Sequence, residues 1–443
     1  VSRFAQPLSH SSDPDRFACV PDTTPRRGSA DGARAVLRNR AFRAIFVGAT
    51  VSNIGTWMQN FTLPAYVDER TGSAGLVGLL VFAQLGPLLL LSVPAGVVAD
   101  RVNRTRLVVA MQCTMLALSL VLAGLVRAES ALVWVFIVQL GIGIANTVQA
   151  PAFSSSLPML VTPEQLPAAV SLNSAMINGS RIMGPALAAL AAVLGAQLWQ
   201  LFALNAVTYL VFIMALRSVG LPAPPTRRSA GLRALTDGIR LAAQRAILGR
   251  ILVTMFSFSL LCLPFIGLFP SVARLNFGLE PDGTAYRLLY VVWGIGAFVG
   301  SLAVGSILHG RDRRDLIRIG FAVFALCLAI FGLTSSPMIA FAIAGVLGAS
   351  YFMTATLLVT ELQVNLADTE RASVMPLWFM VFGGTVPLGN VIAGPIMDHL
   401  GARPVLIFGA LAAVAIGYVG DIARSERLGQ VVTTPTTGPS RQI

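Results

Sequence analysis

GVVADRVNRTR, residues Gly96 to Arg106, decides how the rest of the chain is read. It holds four charges, Asp100, Arg101, Arg104 and Arg106, between two long apolar runs. No residue from Ala74 to Ala99 is charged, and none from Leu107 to Val126. At about 1.5 Å of rise per helical residue, roughly 20 such residues cross a hydrocarbon core of about 30 Å. The charged stretch therefore marks a turn between two membrane passes.

The same pattern recurs along the 443 residues, of which 55% are hydrophobic and only 12% charged, with a mean hydropathy of +0.74. Only helices or closed barrels cross a bilayer, because backbone polar groups find no water there. These runs are too long and too uniformly apolar for barrel strands. The expected fold is an all-α integral membrane protein with twelve transmembrane helices in two pseudo-symmetric six-helix halves. The spans run at about 42–67, 74–99, 105–126, 131–160, 166–192 and 198–218, then 249–275, 284–308, 315–334, 338–361, 371–398 and 402–420.

Five parts follow: a disordered tail over 1–41, a first bundle over 42–218, a linker over 219–248, a second bundle over 249–420 and a disordered tail over 421–443. The first tail lacks the apolar centre of a secretory signal peptide, and a short interfacial helix is expected near Arg34 to Arg43. In the linker, Leu232, Leu235, Ile239 and Ala242 share one helical face, which predicts an amphipathic helix along the membrane surface.

The net charge of +12 is carried by arginine, with no lysine in the chain. Arg70, Arg127, Arg274, Arg287 and Arg403 fall in one set of loops, Arg181 lies inside a span, and the other 26 of the 32 fall on the opposite side. The positive-inside rule makes that richer side cytoplasmic, with both termini inside a plasma-membrane protein. Topology accounts for the basic charge, so no nucleic-acid partner is expected. Cys19, Cys113, Cys262 and Cys327 form no C-x-x-C pair, and His10, His309 and His399 are far apart. No disulfide, metal site or cofactor is expected.

The halves repeat one another. Gly96 and Arg104 match Gly305 and Arg313 at an offset of 209 residues. Gly184-Pro185, in RIMGPALAAL, matches Gly394-Pro395, in VIAGPIMDHL, at an offset of 210. Duplicated transporters place their substrate site near the midplane between the repeats.

Gly96, Asp100, Arg101, Asn103 and Arg104 resemble the major facilitator superfamily signature G-x-x-x-D-[RK]-x-G-R-[RK]. Asn103 stands for a glycine and Thr105 for a basic residue, with Arg106 able to supply the displaced charge; Asn tolerates a left-handed turn. The resemblance implies a cytoplasmic latch, in which Asp100 would hold the N-terminal end of the eleventh helix in the outward-facing state. In the second-half copy His309 stands where the acid would be, so the latch role does not carry across. Arg181, Gly184 and Pro185 resemble the superfamily's antiporter motif, associated with exporters; Ala188 and Ala189 replace its Gly-Gly. From 42 to 420 the chain is similar to the macrolide-efflux and enterobactin-exporter branch.

Polar stripes mark candidate cavity residues: Asn53, Trp57 and Asn60 on the first span; Gln139, Asn146 and Gln149 on the fourth; Ser171, Ser174, Asn178 and Arg181 on the fifth. They are expected to line one central cavity or to hydrogen-bond between helices. Arg181 needs a partner or a water-filled space: Glu361, substrate or helix carbonyls. Glu361 is the first candidate for proton coupling and Asp68 the second, each also readable as an interfacial acid. The expected function is proton-driven export of a lipophilic or amphipathic small molecule by a monomer in the bilayer. A metabolite importer, a lysophospholipid flippase and a transport-dead receptor are the alternatives. No catalytic constellation or P-loop points to an enzyme or to ATP drive.

Overall fold

The uncharged runs become helices that satisfy their own backbone, and the short polar gaps between them supply the caps. The structure, a computed structural model, describes residues 29–222, 232–308 and 311–420. His10, Cys19 and His309 lie outside them. The first half comprises α1 (Ser29–Arg38), α2 (Arg40–Thr71), α3 (Ala74–Arg101), α4 (Arg104–Arg127), α5 (Leu132–Ser156), α6 (Leu166–Val193) and α7 (Leu198–Val219). The linker helix is α8 (Leu232–Gln244). The second half comprises α9 (Ala246–Leu261), α10 (Pro264–Gly267), α11 (Phe269–Phe277), α12 (Thr284–Gly305), α13 (Arg313–Leu333), α14 (Pro337–Val364), α15 (Asp368–Phe379), α16 (Thr385–Leu400) and α17 (Ala402–Val419).

Ten described helical segments are individually long and apolar enough to cross a membrane. Two more passes complete the twelve. One is α2, 32 residues long, whose hydropathy is diluted by Ser52, Asn53, Gln59, Asn60 and Asp68. The other is broken into α9, α10 and α11, with Pro264 and Pro270 at the breaks. The eleventh pass holds a π-helical turn, Met380–Gly384, between α15 and α16.

Side-chain caps set several helix starts, each worth about 1 kcal/mol. Asn39 Oδ1 accepts from the Ala41 and Phe42 amides of α2, and Asp312 from the Arg314 amide of α13. Asn103 does the same for α4, accepting from the Arg106 amide at 3.0 Å. Its φ is −64°, so the left-handed turn expected there does not form. Asn serves at this position as a cap.

The duplication is visible in the packing. In the first half α3 packs on α5 and α4 on α7; in the second, α12 packs on α14 and α13 on α17. The halves meet along α3 with α16 and along α6 with α12. At the first of these crossings main chain lies on main chain. A Cβ on Gly78 would strike the Asn390 carbonyl oxygen, and one on Gly394 would sit 2.6 Å from that of Ala74.

Two expectations change. Within the tail expected to be disordered to residue 41, residues 29–38 form α1, overlapping the short helix expected near Arg34 to Arg43 but starting earlier, and Val36 is buried in a cluster with Phe42, Leu157 and Ala169. In the linker, α8 meets α9 at 111° and packs on α15, where Gly238 lies against the Ser373 carbonyl, while Leu235, Leu241 and Ala242 are half-buried. Ile239 is exposed, so the face predicted from spacing divides between a protein side and an open side. Leu232, named with that face, has its side chain outside the described part.

Candidate functional site

The passes alternate, so the bundle has two ends, named here by Asp68 and Asp100. At the Asp68 end the halves are tied together. Asp68, at the end of α2, is fully buried. It accepts from Ser271 Oγ at 2.6 Å and from Arg274 Nε at 2.8 Å and Nη2 at 3.1 Å, both residues on α11. Arg274 also donates to the Gly72 carbonyl at 2.8 Å. Nearby, Asp398 at the end of α16 accepts from the Ala74 amide at 2.6 Å, the Gly75 amide at 2.9 Å and Ser73 Oγ at 2.7 Å. It caps a helix of the other half. Phe61, Phe269, Tyr286 and Tyr290 stack beneath this seal, with ring centroids 4.7–6.2 Å apart.

Below the seal lies a cavity of about 520 Å³ between the halves. Its polar wall comes from Asn53, Asn60, Gln84, Gln112, Asn146 and Gln149. Trp57, Phe269, Tyr286 and Tyr290 supply aromatic faces. The wall continues through Phe153 and Ser154 of α5, Asn173 of α6 and Phe212 of α7. All four lie in the Asp100-end halves of their helices, so the cavity extends toward that end. Its amides are partly interlinked: Gln112 Nε2 donates to Gln149 Oε1 at 2.9 Å, and Gln149 Nε2 to Asn146 Oδ1 at 3.2 Å.

The three polar stripes do not line this one space. Those of α2 and α5 contribute Asn53, Trp57, Asn60, Asn146 and Gln149 to the cavity. Gln139 instead belongs to a buried network. Gln59 Nε2 donates to Gln139 Oε1 at 3.2 Å, and Gln59 Oε1 accepts from Ser119 Oγ at 3.0 Å and Asn205 Nδ2 at 2.8 Å. Ser171, Ser174 and Asn178 of α6 line a separate recess of about 920 Å³ against α12 and α14. One helix feeds both spaces, because Asn173, Met176 and Ile177 turn toward the cavity.

Arg181, one turn beyond Asn178, has its guanidinium carbon 4.9 Å from the Trp57 ring centre and 5.0 Å from that of Phe352. Those rings belong to opposite halves. Glu361 is not its partner. That carboxylate is buried and accepts from Arg313 Nε at 2.8 Å, with Asn365 Nδ2 at 3.3 Å. Arg313 lines the recess, so the ion pair stands at its edge. Three residues from Arg181, Gly184 explains its own identity: a Cβ would lie 2.6 Å from the Met58 amide nitrogen. Pro185, next in the chain, is buried as well.

In the signature stretch, Asp100 Oδ1 is 3.7 Å from Arg104 Nη2. Arg104 is buried and its Nη1 lies 3.4 Å from Met159 Sδ. Gly96 has open space where a Cβ would go, and Arg101 and Arg106 are exposed. Among the described residues no group of three His, Cys, Asp or Glu is placed to hold a metal.

Sequence reasoning gave no role to Ser271 or Asp398 and counted Arg274 only as a loop charge. The aromatic spacing Tyr286, Tyr290, Trp293 on one face of α12 was a signal available in the sequence and not used.

Residues 31–435 match the family model described as transmembrane secretion effector. The enterobactin exporter EntS of Shigella boydii serotype 4 (strain Sb227) is 23% identical over 380 residues, covering 84% of this chain and 88% of that protein. EntS of Escherichia coli O139:H28 (strain E24377A / ETEC) matches to the same extent. Among solved structures, nucleoside transporter NupG superposes with a TM-score of 0.67 at 12% identity, over 86% of this chain and 98% of its own. A bacterial homologue of the human lysosomal transporter Spinster, inward-facing and unoccupied, gives 0.64 at 14%, over 91% and 96%. At such identities these structures speak for the fold alone. Family model, relatives and fold agree, and the chain belongs to the transmembrane secretion effector family of the major facilitator superfamily, whose members are transporters and not enzymes.

Proposed function

We propose that the protein exports a lipophilic or amphipathic small molecule across the plasma membrane by alternating access, as a monomer driven by protons. One observation carries this reading: the cavity between the halves is shut at the Asp68 end and extends toward the Asp100 end. The arginine asymmetry makes the Asp100 end cytoplasmic, with both termini on that side. On that orientation the cavity is loaded from the cytoplasm. The Gly184-Pro185 pair and the enterobactin exporters among the relatives support the outward direction.

Asp100 takes the latch role in the opposite state, closing the cytoplasmic end when the Asp68 end opens. Glu361 is the first proton-coupling candidate: it is buried, it borders the recess, and protonation would release Arg313. Asp68 is the second, since its protonation would weaken the seal to Arg274. Substrate contacts fall to Asn53, Trp57, Asn60, Asn146 and Gln149 in the cavity, and to Asn178 at the recess.

The test is uphill flux of a panel of dyes and antibiotics in proteoliposomes under an imposed pH gradient. Accumulation that collapses with a protonophore is the expected result. Uphill transport indifferent to the gradient would overturn proton antiport. The recess between α6, α12 and α14 lends support to a second reading, a lysophospholipid flippase, which predicts that a fluorescent lysophospholipid is moved while the dyes are not.

A further inference from the structure

Three arginines of the bundle have carboxylate partners: Arg274 with Asp68, Arg313 with Glu361, Arg104 with Asp100. Arg181 does not. Its contacts are the faces of Trp57 and Phe352. A guanidinium stays charged in any protein, and an uncompensated charge among apolar helices is costly.

Stacking satisfies only the flat faces of the guanidinium. Its five N–H donors point outward in the plane, in a fork matched to two oxygens of one anion. Arg181 Nε is buried with no acceptor. In the same aromatic cluster Trp293 Nε1 is a second buried donor with no acceptor, its ring 6.3 Å from Phe352 and 5.4 Å from Tyr290. Two orphaned donors and one unbalanced positive charge lack the same thing, a negatively charged oxygen acceptor. The rings around them offer faces to an aromatic body.

We infer that Arg181 and Trp293 form a binding site for an organic oxyanion with an aromatic body, such as an aryl carboxylate, and that the transported molecule belongs to this class. The inference rests on the transporter reading above for its last clause. Trp57 and Tyr290 line the cavity, so the site borders the space a substrate occupies. Trp57 and Phe352 come from opposite halves, so an anion bound to Arg181 contacts the joint that must move.

The test measures binding without flux. The full chain in zwitterionic-lipid nanodiscs is dialysed to equilibrium against 1-pyrenecarboxylate, or against 1-pyrenemethylammonium, which has the same rings and the opposite charge. Protein-free nanodiscs correct for partition. The carboxylate should bind the wild type at least about tenfold more tightly, the factor expected of a charge-assisted hydrogen bond. Arg181→Gln should abolish that preference. Arg181→Lys should keep it at lower affinity, and Trp293→Phe should weaken only the carboxylate. Equal binding of the two probes by the wild type, or an intact preference in monodisperse Arg181→Gln, overturns the inference. If Arg181→Gln is not monodisperse, the wild-type comparison and Arg181→Lys decide. Absence of uphill export alongside a clear charge preference would sink the exporter reading and leave the anion site standing.

Discussion

Asp398, at the end of α16, accepts the Ala74 amide at 2.6 Å, so an acid of the second half caps the start of α3 in the first. Gly394 stands four residues before it, as Gly96 stands four before Asp100. An acid at the end of one helix gripping the positive start of another is the arrangement the signature motif implies at the other end of the bundle. On the proposed latch role of Asp100, the same device would serve both ends of the molecule. Asp398→Ala should remove three accepted bonds and weaken the Asp68-end closure by about 0.5–2 kcal/mol. Spin-label distances between α3 and α16 at that end should lengthen, while the melting temperature changes little. Unchanged distances would reduce Asp398 to a surface cap.

Asp68→Asn keeps the side-chain volume and removes the charge facing Arg274. Lying between an exposed and a fully buried pair, the interaction should be worth about 1–3 kcal/mol. Thiol labelling of a cysteine introduced at cavity residue Asn60, from the Asp68 side, should rise. The exchange Asp68→Arg with Arg274→Asp should restore protection, and failure to do so would deny that the ion pair is the seal.

Asp100→Asn separates stability from transport. Its pair with Arg104 spans 3.7 Å across the turn from α3 to α4, long for an ion pair, and should be worth no more than about 1 kcal/mol. The variant should therefore melt within a degree or two of the parent and yet transport poorly. Full transport would leave the motif as a topology signal.

Neighbouring amides of α2 should behave oppositely. Gln59→Leu leaves Gln139 Oε1 without its donor in the buried network and takes one of two acceptors from Ser119 Oγ and from Asn205 Nδ2, at a cost of about 1–3 kcal/mol. Asn60→Leu alters only the cavity wall, so it should melt like the parent while its substrate profile changes. Thermal melts and dye flux on both variants check the pair; equal destabilisation would mean that the cavity wall is packed core.

The spans were legible in sequence because lipid demands uniform apolarity over a fixed length, and the duplication because Gly-Pro and Gly-to-Arg spacings repeat. The broken seventh pass was not, since α9–α11 read as one apolar run despite Pro264 and Pro270. Arg181 could be singled out as a charge inside a span, but Trp57 and Phe352 reach it from other helices. The seal was hidden for the same reason: Asp68 and Arg274 are 206 residues apart and each looks like an ordinary loop-end charge. The polar stripe of α6 gave the right face and the wrong destination, because the helix turns between two spaces.

The main-chain contact of α3 with α16 has a mechanical consequence. Interlocked side chains act as gear teeth, and one helix passes another only by jumping a notch. At Gly78 and Gly394 there are no teeth. Backbone resting on backbone is a plain bearing, across which one half rolls against the other with little friction. On the proposed alternating access, resistance to rocking then resides at the rims, with Asp68 and Asp398 as brakes at one end and Asp100 as the proposed brake at the other. A methyl group at Gly78 or Gly394 would work as grit in the bearing, slowing passage in both directions whichever end is closed.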